Sequence, residues 1–331
     1  MRILAGDIGG TKTSIAIFEV NNTELEVVAE EKYSSCEYDS LNAIVEKFLK
    51  TQKAIPQWAC FGIAGPVRNG IVKTTNLPWI VDAQEMADKI GFKKVWLIND
   101  LEANAWGVPA LQEMDFFILN KGRADPEGNA VIISAGTGLG QAGLYFNGKE
   151  LCPFASEGGH SDFSPNSDLE IALLQFLKKR YKTESHVSWE RVISGMGIEN
   201  IYDFLCDYRN VKSSEYLIEK IDKGDKATAI SKAAKDGRCP ICSETLKIFV
   251  HLYGAEAGNH ALKIMATAGL YIGGGIAPKN LEQFKNSIFM DSFCNKGRMK
   301  DILQNIPVKI ILNQKTALYG SAIYAGLEVN R

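Results

Sequence analysis

The fold of this chain is decided by the stretch GDIGGTKT at residues 6–13, a glycine-rich turn that directly follows the apolar run ILA at residues 3–5. Two similar turns follow apolar runs further along, SAGTGLG at residues 134–140 and GLYIGGG at residues 269–275. Each turn exposes backbone N–H groups at the end of a predicted strand, where a polyphosphate can approach without meeting side chains. The three turns therefore predict a phosphate-binding cleft between two similar halves of the molecule.

A candidate carboxylate follows another apolar run, VWLI at residues 95–98. Asn99 and Asp100 directly follow this run, and the predicted strand would bring the carboxylate of Asp100 to face the same cleft. Taken alone, an Asn-Asp pair after a strand is typical of a turn or a helix N-cap. Opposite a polyphosphate, the same pair is typical of phosphoryl transfer, which is our first functional hypothesis.

The composition is that of a globular protein with two domains. The chain has 331 residues, of which 46% are hydrophobic and 23% are charged, and one domain usually takes roughly 100–200 residues. The net charge is −2 and Lys and Arg form no long block, which argues against a nucleic-acid partner. The composition therefore favours chemistry on a small molecule.

The sequence predicts neither a signal peptide nor a membrane span. The apolar start at residues 1–5 is too short for a signal-peptide core, and the longest uncharged stretch, residues 128–148, is interrupted by glycines. We therefore expect a cytoplasmic protein without a membrane partner.

The seven cysteines are scattered and odd in number, which predicts reduced thiols. Cys239 and Cys242 form the only CxxC pair, where we expect a helix start rather than a metal or redox site.

The hydrophobic pattern predicts that one α/β arrangement occurs twice. In the first half, strands at residues 2–6, 14–20 and 24–33 precede a helix, a strand at 57–63, a helix near 83–90, a strand at 94–98 and a helix at about 101–112. The strand and glycine-turn pattern returns at residue 130 and continues into a strand at 141–146. The second half then has predicted helices at 168–181, 199–206, 213–222 and 246–264, a strand at 269–273 and a final helix at 316–328.

Two stretches match the nucleotide motifs of other folds only in part. GDIGGTKT nearly spells a P-loop, but Thr11 replaces the second glycine and a strand follows, whereas a P-loop opens a helix. GLGQAG at residues 138–143 matches the dinucleotide fingerprint, yet it also continues into a strand and a hairpin turn. We therefore expect neither a P-loop nor a NAD site.

Five motifs occur in order along almost the whole chain, and together they resemble those of the bacterial glucokinases of the hexokinase–actin–Hsp70 ATPase superfamily. The motifs are GDIGGT at residues 6–11, INDLEA at 98–103, AGTGLG at 135–140, EGGH at 157–160 with DFSP at 162–165, and ERVISG at 190–195. The resemblance implies a duplicated α/β fold of the actin-like ATPase (ribonuclease H-like) class, with two domains and an interdomain cleft. We predict a small domain at residues 1–110, joined by the C-terminal segment 301–331, and a large domain at 111–300.

The resemblance also implies a reaction, in which ATP and Mg²⁺ phosphorylate D-glucose at the 6-hydroxyl, and a cytoplasmic homodimer. The implied sugar-binding residues are Asn99, Asp100, Glu157, His160 and Glu190. The implied nucleotide-binding residues are Gly6, Asp7, Ile8, Gly9, Gly10, Thr11, Gly136, Thr137, Gly138, Gly273, Gly274 and Gly275. Asp100 would be the catalytic base, and Asp7 would hold Mg²⁺ through water.

The chain departs from the bacterial glucokinase pattern after the first turn, where Lys12 and Thr13 resemble a related family of repressors and sugar kinases. Cys239 and Cys242 lack the histidine and the further cysteine of that family's zinc motif. Three alternatives remain open at this point: a kinase for another hexose such as mannose or an N-acetylated hexosamine, a non-catalytic sugar sensor, and an actin- or Hsp70-like ATPase.

Overall fold

The computed structural model describes residues 1–21, 24–52, 56–74, 77–182, 186–212, 217–218 and 225–331, which form two compact units. The first unit contains residues 1–116, 152–155 and 313–331. The second unit contains residues 117–151 and 156–312. None of the helices among the described residues combines the length and the apolar character needed to cross a bilayer.

The strands and helices are numbered along the chain. The strands are β1 (Arg2–Ile8), β2 (Lys12–Asn21), β3 (Glu24–Ser34), β4 (Trp58–Ile63), β5 (Ile71–Lys73), β6 (Ile80–Asp82), β7 (Lys94–Asn99), β8 (Phe116–Asn120), β9 (Ala130–Ala135), β10 (Leu139–Phe146), β11 (Leu151–Ser156), β12 (Gly269–Gly273) and β13 (Val308–Ile311). The helices are α1 (Leu41–Leu49), α2 (Ala83–Ile90), α3 (Asp100–Gly107), α4 (Asp168–Tyr181), α5 (Gly195–Tyr208), α6 (Lys226–Lys235), α7 (Pro240–Ile264), α8 (Ile276–Lys279), α9 (Leu281–Phe284), α10 (Ile288–Cys294), α11 (Lys300–Asn305) and α12 (Thr316–Val329).

The sheet of the first unit has the strand order β3-β2-β1-β4-β7. β1 pairs with β2 in the antiparallel sense, whereas β1, β4 and β7 are parallel. Successive residues of a strand point to opposite faces, so Leu4 and Ile8 pack in one core with α1 and α2, whereas Ile3 and Ala5 pack in another with α3 and α12. Because helices cover both faces, β1 carries a continuous apolar run instead of an alternating one.

The second unit repeats this arrangement of strands. Its sheet has the order β11-β10-β9-β12-β13-β8, in which β10 is antiparallel to β9, and β12 is parallel to both β9 and β13. β9, β10 and β11 thus correspond in order to β1, β2 and β3, and β12 and β13 correspond to β4 and β7. The duplicated α/β architecture predicted from the glycine turns is confirmed. β8 has no counterpart in the first sheet, and the sequence analysis did not predict it.

Most predicted elements occur where they were expected. α4 and β12 have the predicted bounds. α7 begins at Pro240, earlier than the predicted 246, and this is the helix start expected at the CxxC pair: Cys239 caps it, and its Sγ accepts a hydrogen bond from the Cys242 N–H at 3.4 Å. The helix predicted at 101–112 is shorter and ends at Gly107. Pro109 follows within a short 3₁₀ turn and has no N–H with which to continue the helix. The helix predicted at 213–222 falls almost entirely outside the described residues.

The two units differ from the predicted domain limits near the end of the chain. Residues 301–312 group with the second unit, not with the first. The reason is β13, which pairs with β12 in the parallel sense and therefore belongs to the second sheet. Residues 313–331, which include α12, group with the first unit.

α12 packs closely on α3 and on the sheet of the first unit. A Cβ on Gly320 would lie 1.7 Å from the carbonyl oxygen of Ala103, and a Cβ on Gly107 would lie 1.9 Å from that of Thr316. This close packing buries Ser321 completely. Its Oγ accepts a hydrogen bond from the Gly62 N–H at 3.1 Å and lies 3.0 Å from the carbonyl oxygen of Gly6. Ser321 thus connects α12 to β4 and to the residue that opens the first glycine turn.

We expect the Ser321→Ala variant to be less stable by about 1–3 kcal/mol, because buried polar groups of Gly62 and Gly6 lose a partner. The measurement is the shift in the midpoint of urea unfolding. Ser287→Ala is the matched control, because Ser287 is exposed and caps α10 without a side-chain hydrogen bond. Equal midpoints for the two variants would contradict the role given to Ser321.

Candidate active site

The first glycine turn connects two strands and does not open a helix. β1 ends at Ile8, β2 begins at Lys12, and the Gly9 N–H donates to the carbonyl oxygen of Lys12 at 3.0 Å. Ser35 holds the turn from outside, because its Oγ donates to the carbonyl oxygen of Gly9 at 2.8 Å and its N–H donates to that of Thr11 at 3.0 Å. The exclusion of a P-loop is confirmed. The sequence analysis missed Ser35, which belongs to no recognisable motif.

Asn99 and Asp100 lie where β7 ends and α3 begins. Asn99 is the N-cap of α3, and its Oδ1 accepts hydrogen bonds from the N–H groups of Leu101 at 2.9 Å and Glu102 at 3.4 Å. Its Nδ2 donates to the carbonyl oxygen of Gly65 at 3.3 Å. The capping role that is usual for such a pair therefore holds for Asn99. Asp100 is the first residue of the helix, and the cap fixes its position.

Asp7 and Asp100 influence each other within the first unit. Burial raises the pKa of the Asp7 carboxyl to about 7, and the negative charge of Asp100 adds to this shift. A nearby divalent cation would favour the ionised form and reverse the shift. No group of three or more metal-ligating side chains occurs among the described residues, so a Mg²⁺ at Asp7 would take its other ligands from water and phosphate, as this ion often does. The residues present fit such a cation.

The raised pKa of Asp7 predicts how stability depends on pH. Between the ordinary value of 3.8 and about 7 the folded state binds more protons than the unfolded state, so stability falls as pH rises through this range. Without Mg²⁺, Asp7→Asn should be more stable than the wild type at pH 8 by about 1–4 kcal/mol. This gain should shrink toward pH 4.

The measurement is urea unfolding in EDTA at several pH values. Asp88→Asn is the control, because Asp88 is an exposed residue of the same unit. A gain for Asp7→Asn that is equal at pH 4 and pH 8 would disprove the charge effect.

In the second unit, Glu190 lies against the second glycine turn. It sits in the 3₁₀ turn Trp189–Arg191, and its Oε2 accepts a hydrogen bond from the Leu139 N–H at 3.0 Å. A Cβ on Gly138 would lie 2.4 Å from the same oxygen. Glu190 makes no ion pair with its neighbour Arg191, whose guanidinium lies 4.2 Å from the ring centre of Tyr181.

Glu157 and His160 lie in a loop that contacts the same residue, Leu139. The loop contains the 3₁₀ turn Gly158–His160, and a Cβ on Gly159 would lie 2.0 Å from the carbonyl oxygen of Leu139. The side chains of Glu157 and His160 are 66% and 59% exposed, with Oε2 and Nε2 3.9 Å apart. Leu139 thus contacts both Glu190 and Gly159, the residue that precedes His160 in the loop. Its role was not predicted from the sequence.

The third glycine turn packs on the second. Gly273 pairs with Ser134 in the register of β12 and β9, and Gly274 has φ +78. A Cβ on Gly274 would lie 2.3 Å from the carbonyl oxygen of Ala135. Both turns therefore present backbone at the same end of the second sheet.

Beside these turns the second unit has a cavity of about 870 Å³. Three of the predicted nucleotide residues line it, Gly136, Thr137 and Gly275. The other walls come from the first turn of α5, from α6 and from α8, and include Met196, Thr228, Ser231 and Lys279. These walls could not be predicted from the sequence, because α6 has no nucleotide motif of its own.

The comparisons with known proteins agree with this geometry. The family model described as glucokinase matches residues 4–328. The curated glucokinase of Nostoc punctiforme is 42% identical, with 98% of both chains covered, and that of Yersinia enterocolitica is 35% identical, with 97% of this chain and 95% of the relative covered.

Solved structures give the same result. The crystal structure of a glucokinase from an Antarctic psychrotroph has a TM-score of 0.86 and 31% identity, with 98% of this chain and 99% of that chain covered. A glucokinase of the ROK family from Streptomyces griseus, in complex with glucose and AMPPNP, has a TM-score of 0.68 at 19% identity, covers 99% and 100% of the two chains, and supports the fold alone. The predicted class, a sugar kinase with an actin-like ATPase fold, is confirmed. The chain belongs to the glucokinase family.

Proposed function

We propose that this chain transfers the γ-phosphoryl group of ATP to the 6-hydroxyl of D-glucose and releases glucose 6-phosphate and ADP. The observation that carries this proposal is the glucokinase family match over residues 4–328. The geometry supports it, because the motif residues lie on glycine turns and strand ends in both units.

Asp100 is the proposed general base. It would accept the proton of the 6-hydroxyl as that oxygen attacks the γ-phosphorus. The proton then need not be transferred to bulk water. Its place at the start of α3, behind the Asn99 cap, holds the carboxylate on a rigid element. Proton acceptance of this kind contributes about 10²–10⁴-fold in rate, so positioning and charge neutralisation supply the rest.

The glycine turns and Asp7 are proposed to hold the phosphates. N–H groups near Gly9–Thr11 and Gly136–Gly138 would donate to the β- and γ-phosphates, which needs backbone free of side chains. Mg²⁺, when bound, would neutralise phosphate charge, and Asp7 would orient it through water. Asp7 would then be ionised, because the cation offsets the effect of burial.

Sugar recognition is proposed for Asn99, Asp100, Glu157, His160 and Glu190. Sugar hydroxyls both donate and accept hydrogen bonds, so carboxylates, an amide and an imidazole can pair with them where an apolar pocket could not. The exposed side chains of Glu157 and His160 are available to a ligand. A site of this kind discriminates strongly against sugars that lack a hydroxyl, since its polar groups would stay unpaired.

The cavity of about 870 Å³ beside the second and third turns is the proposed place of the adenosine moiety. Its size lies in the usual range for a small-molecule site, roughly 300–1,000 Å³. Its apolar walls, among them Met196 and Ile276, suit a purine base.

A homodimeric state and a cytoplasmic location are proposed from the family resemblance. Sedimentation velocity at micromolar concentration tests the first, with a mass near twice 36.4 kDa expected.

The catalytic assignment is tested with Asp100→Asn. We expect kcat to fall by at least about a hundredfold, because the asparagine amide cannot accept the hydroxyl proton, while glucose still binds. A coupled ADP-release assay across several hexoses measures kcat, and calorimetry measures glucose binding. Asp88→Asn should behave as the wild type, and an Asp100→Asn enzyme with normal kcat would refute the assignment.

The nucleotide assignment is tested with Ser231→Trp, which places an indole in the cavity. We expect the KM for ATP to rise at least about tenfold, because the added ring takes the space of the adenosine moiety. Glucose binding should not change. Lys247→Trp is the control, since Lys247 is exposed on α7. An unchanged KM for ATP in Ser231→Trp would show that the adenosine moiety does not bind in this cavity.

A further inference from the structure

The second unit has another polar cavity, of about 900 Å³, that shares no lining residue with the proposed adenosine cavity. Its walls are the segment that follows His160, the middle and end of α7, and the residues after α10. The proposed reaction uses none of the side chains that line it.

Two ammonium groups line this cavity, those of Lys263 and Lys296. Within the described part of the chain, neither ammonium group makes a side-chain hydrogen bond or lies within ion-pair distance of a carboxylate. The alkyl chain of Lys296 lies over α7, with its Cε 2.9 Å from the position of a Cβ on Gly258. Burial lowers the pKa of Lys296, Glu256 and Glu170 oppose this effect, and the charge of Lys263 lowers the pKa further. The two cations therefore repel each other.

The carboxylates around the cavity have other partners. Glu170 pairs with His251, whose Nε2 lies 3.1 Å from Oε1, and accepts from the Asn166 N–H at 2.6 Å. Asp162 pairs with His186 at 2.6 Å. Glu256 is fully buried behind the cavity and accepts hydrogen bonds from Gln141 and Asn259, and burial raises its pKa. These carboxylates are hydrogen-bonded elsewhere and act on Lys296 only from beyond ion-pair distance, so both ammonium groups can still make a direct contact with a ligand.

The remaining lining groups are neutral and polar. Ser161, Ser164, Asn166 and Asn295 bring hydroxyl and amide groups to the cavity wall, and such groups pair with the hydroxyls of a ligand. A volume of about 900 Å³ is far larger than one phosphate ion needs, and it lies in the range of small-molecule sites. An anion with a hydroxylated body fits these features.

We propose that this cavity binds a phosphorylated small molecule of sugar size, with its phosphate between Lys263 and Lys296. Lysine binds phosphate as a point charge, and a phosphate dianion would relieve the repulsion between the two ammonium groups. Ser161, Asp162 and Ser164 line the cavity and directly follow His160 in the chain. A bound ligand would therefore contact the segment that directly follows the loop of Glu157 and His160.

The experiment is calorimetric titration of the full chain with glucose 6-phosphate, glycerol 3-phosphate and inorganic phosphate. Saturating glucose and ADP are present so that the proposed active site is occupied. We expect one saturable site for glucose 6-phosphate, and a loss of affinity of at least about tenfold in Lys263→Gln and in Lys296→Gln. Lys247→Gln, a change of the same kind at an exposed position of α7, should bind as the wild type.

Each of the three variants should keep its kcat and its KM for glucose, which shows that a loss of binding is not a loss of folding. Absence of saturable binding of all three phosphates would overturn the proposal, as would binding that survives both lysine substitutions. If inorganic phosphate bound as tightly as glucose 6-phosphate, the proposal that the ligand has a body of sugar size would be wrong. None of these results depends on the roles given to Asp100 or Ser231.

Discussion

The candidate site of the second unit depends on atoms that approach three glycines more closely than a Cβ would allow. An added Cβ would lie 2.0 Å from the Leu139 carbonyl oxygen at Gly159, 2.4 Å from Glu190 Oε2 at Gly138, and 2.3 Å from the Ala135 carbonyl oxygen at Gly274. Of these three glycines only Gly274 has a positive φ. The other two are needed for close packing and not for an unusual backbone conformation. The turns, the loop and Glu190 are therefore held in one arrangement.

Electrostatics dominates the corresponding part of the first unit. Burial and the neighbouring Asp100 both disfavour the charged form of Asp7. A metal ion bound to a polyphosphate would place positive charge near the Asp7 carboxylate and favour its ionised form. A free polyphosphate would instead add negative charge. Under the proposed function, the first unit would therefore bind the nucleotide together with its metal. Each unit contributes differently to the proposed reaction, although their sheets share one strand order.

The sequence predicted those features that are written in local patterns. Apolar runs followed by glycine turns predicted β1, β9 and β12, and with them the duplication, because strand and turn chemistry are both short-range. It did not predict that residues 301–312 join the second unit, because this depends on the pairing of β13 with the distant β12. The edge strand β8 was missed for the same reason.

The candidate site was predictable to a similar extent. The motifs contained Glu157, His160 and Glu190, but the sequence could not show that Glu190 and the loop of Glu157 and His160 both contact Leu139, because these contacts join distant segments. Ser35 was missed as well, because its contacts with Gly9 and Thr11 join segments that are distant in the chain. Asn99 can cap α3 and also belong to the candidate site, since its capping hydrogen bond holds the neighbouring Asp100 in place.

α12 also affects the order in which the chain folds during synthesis. Ser321 bonds to Gly62 and lies against Gly6, and α12 covers one face of a sheet whose strands are made first. On the ribosome, that face has α3 but not α12 to cover it until residues 313–331 have left the exit tunnel. The second unit, made of residues 117–151 and 156–312, is synthesised in full before them. Although domains made first generally fold first, here the N-terminal unit is completed after the second one.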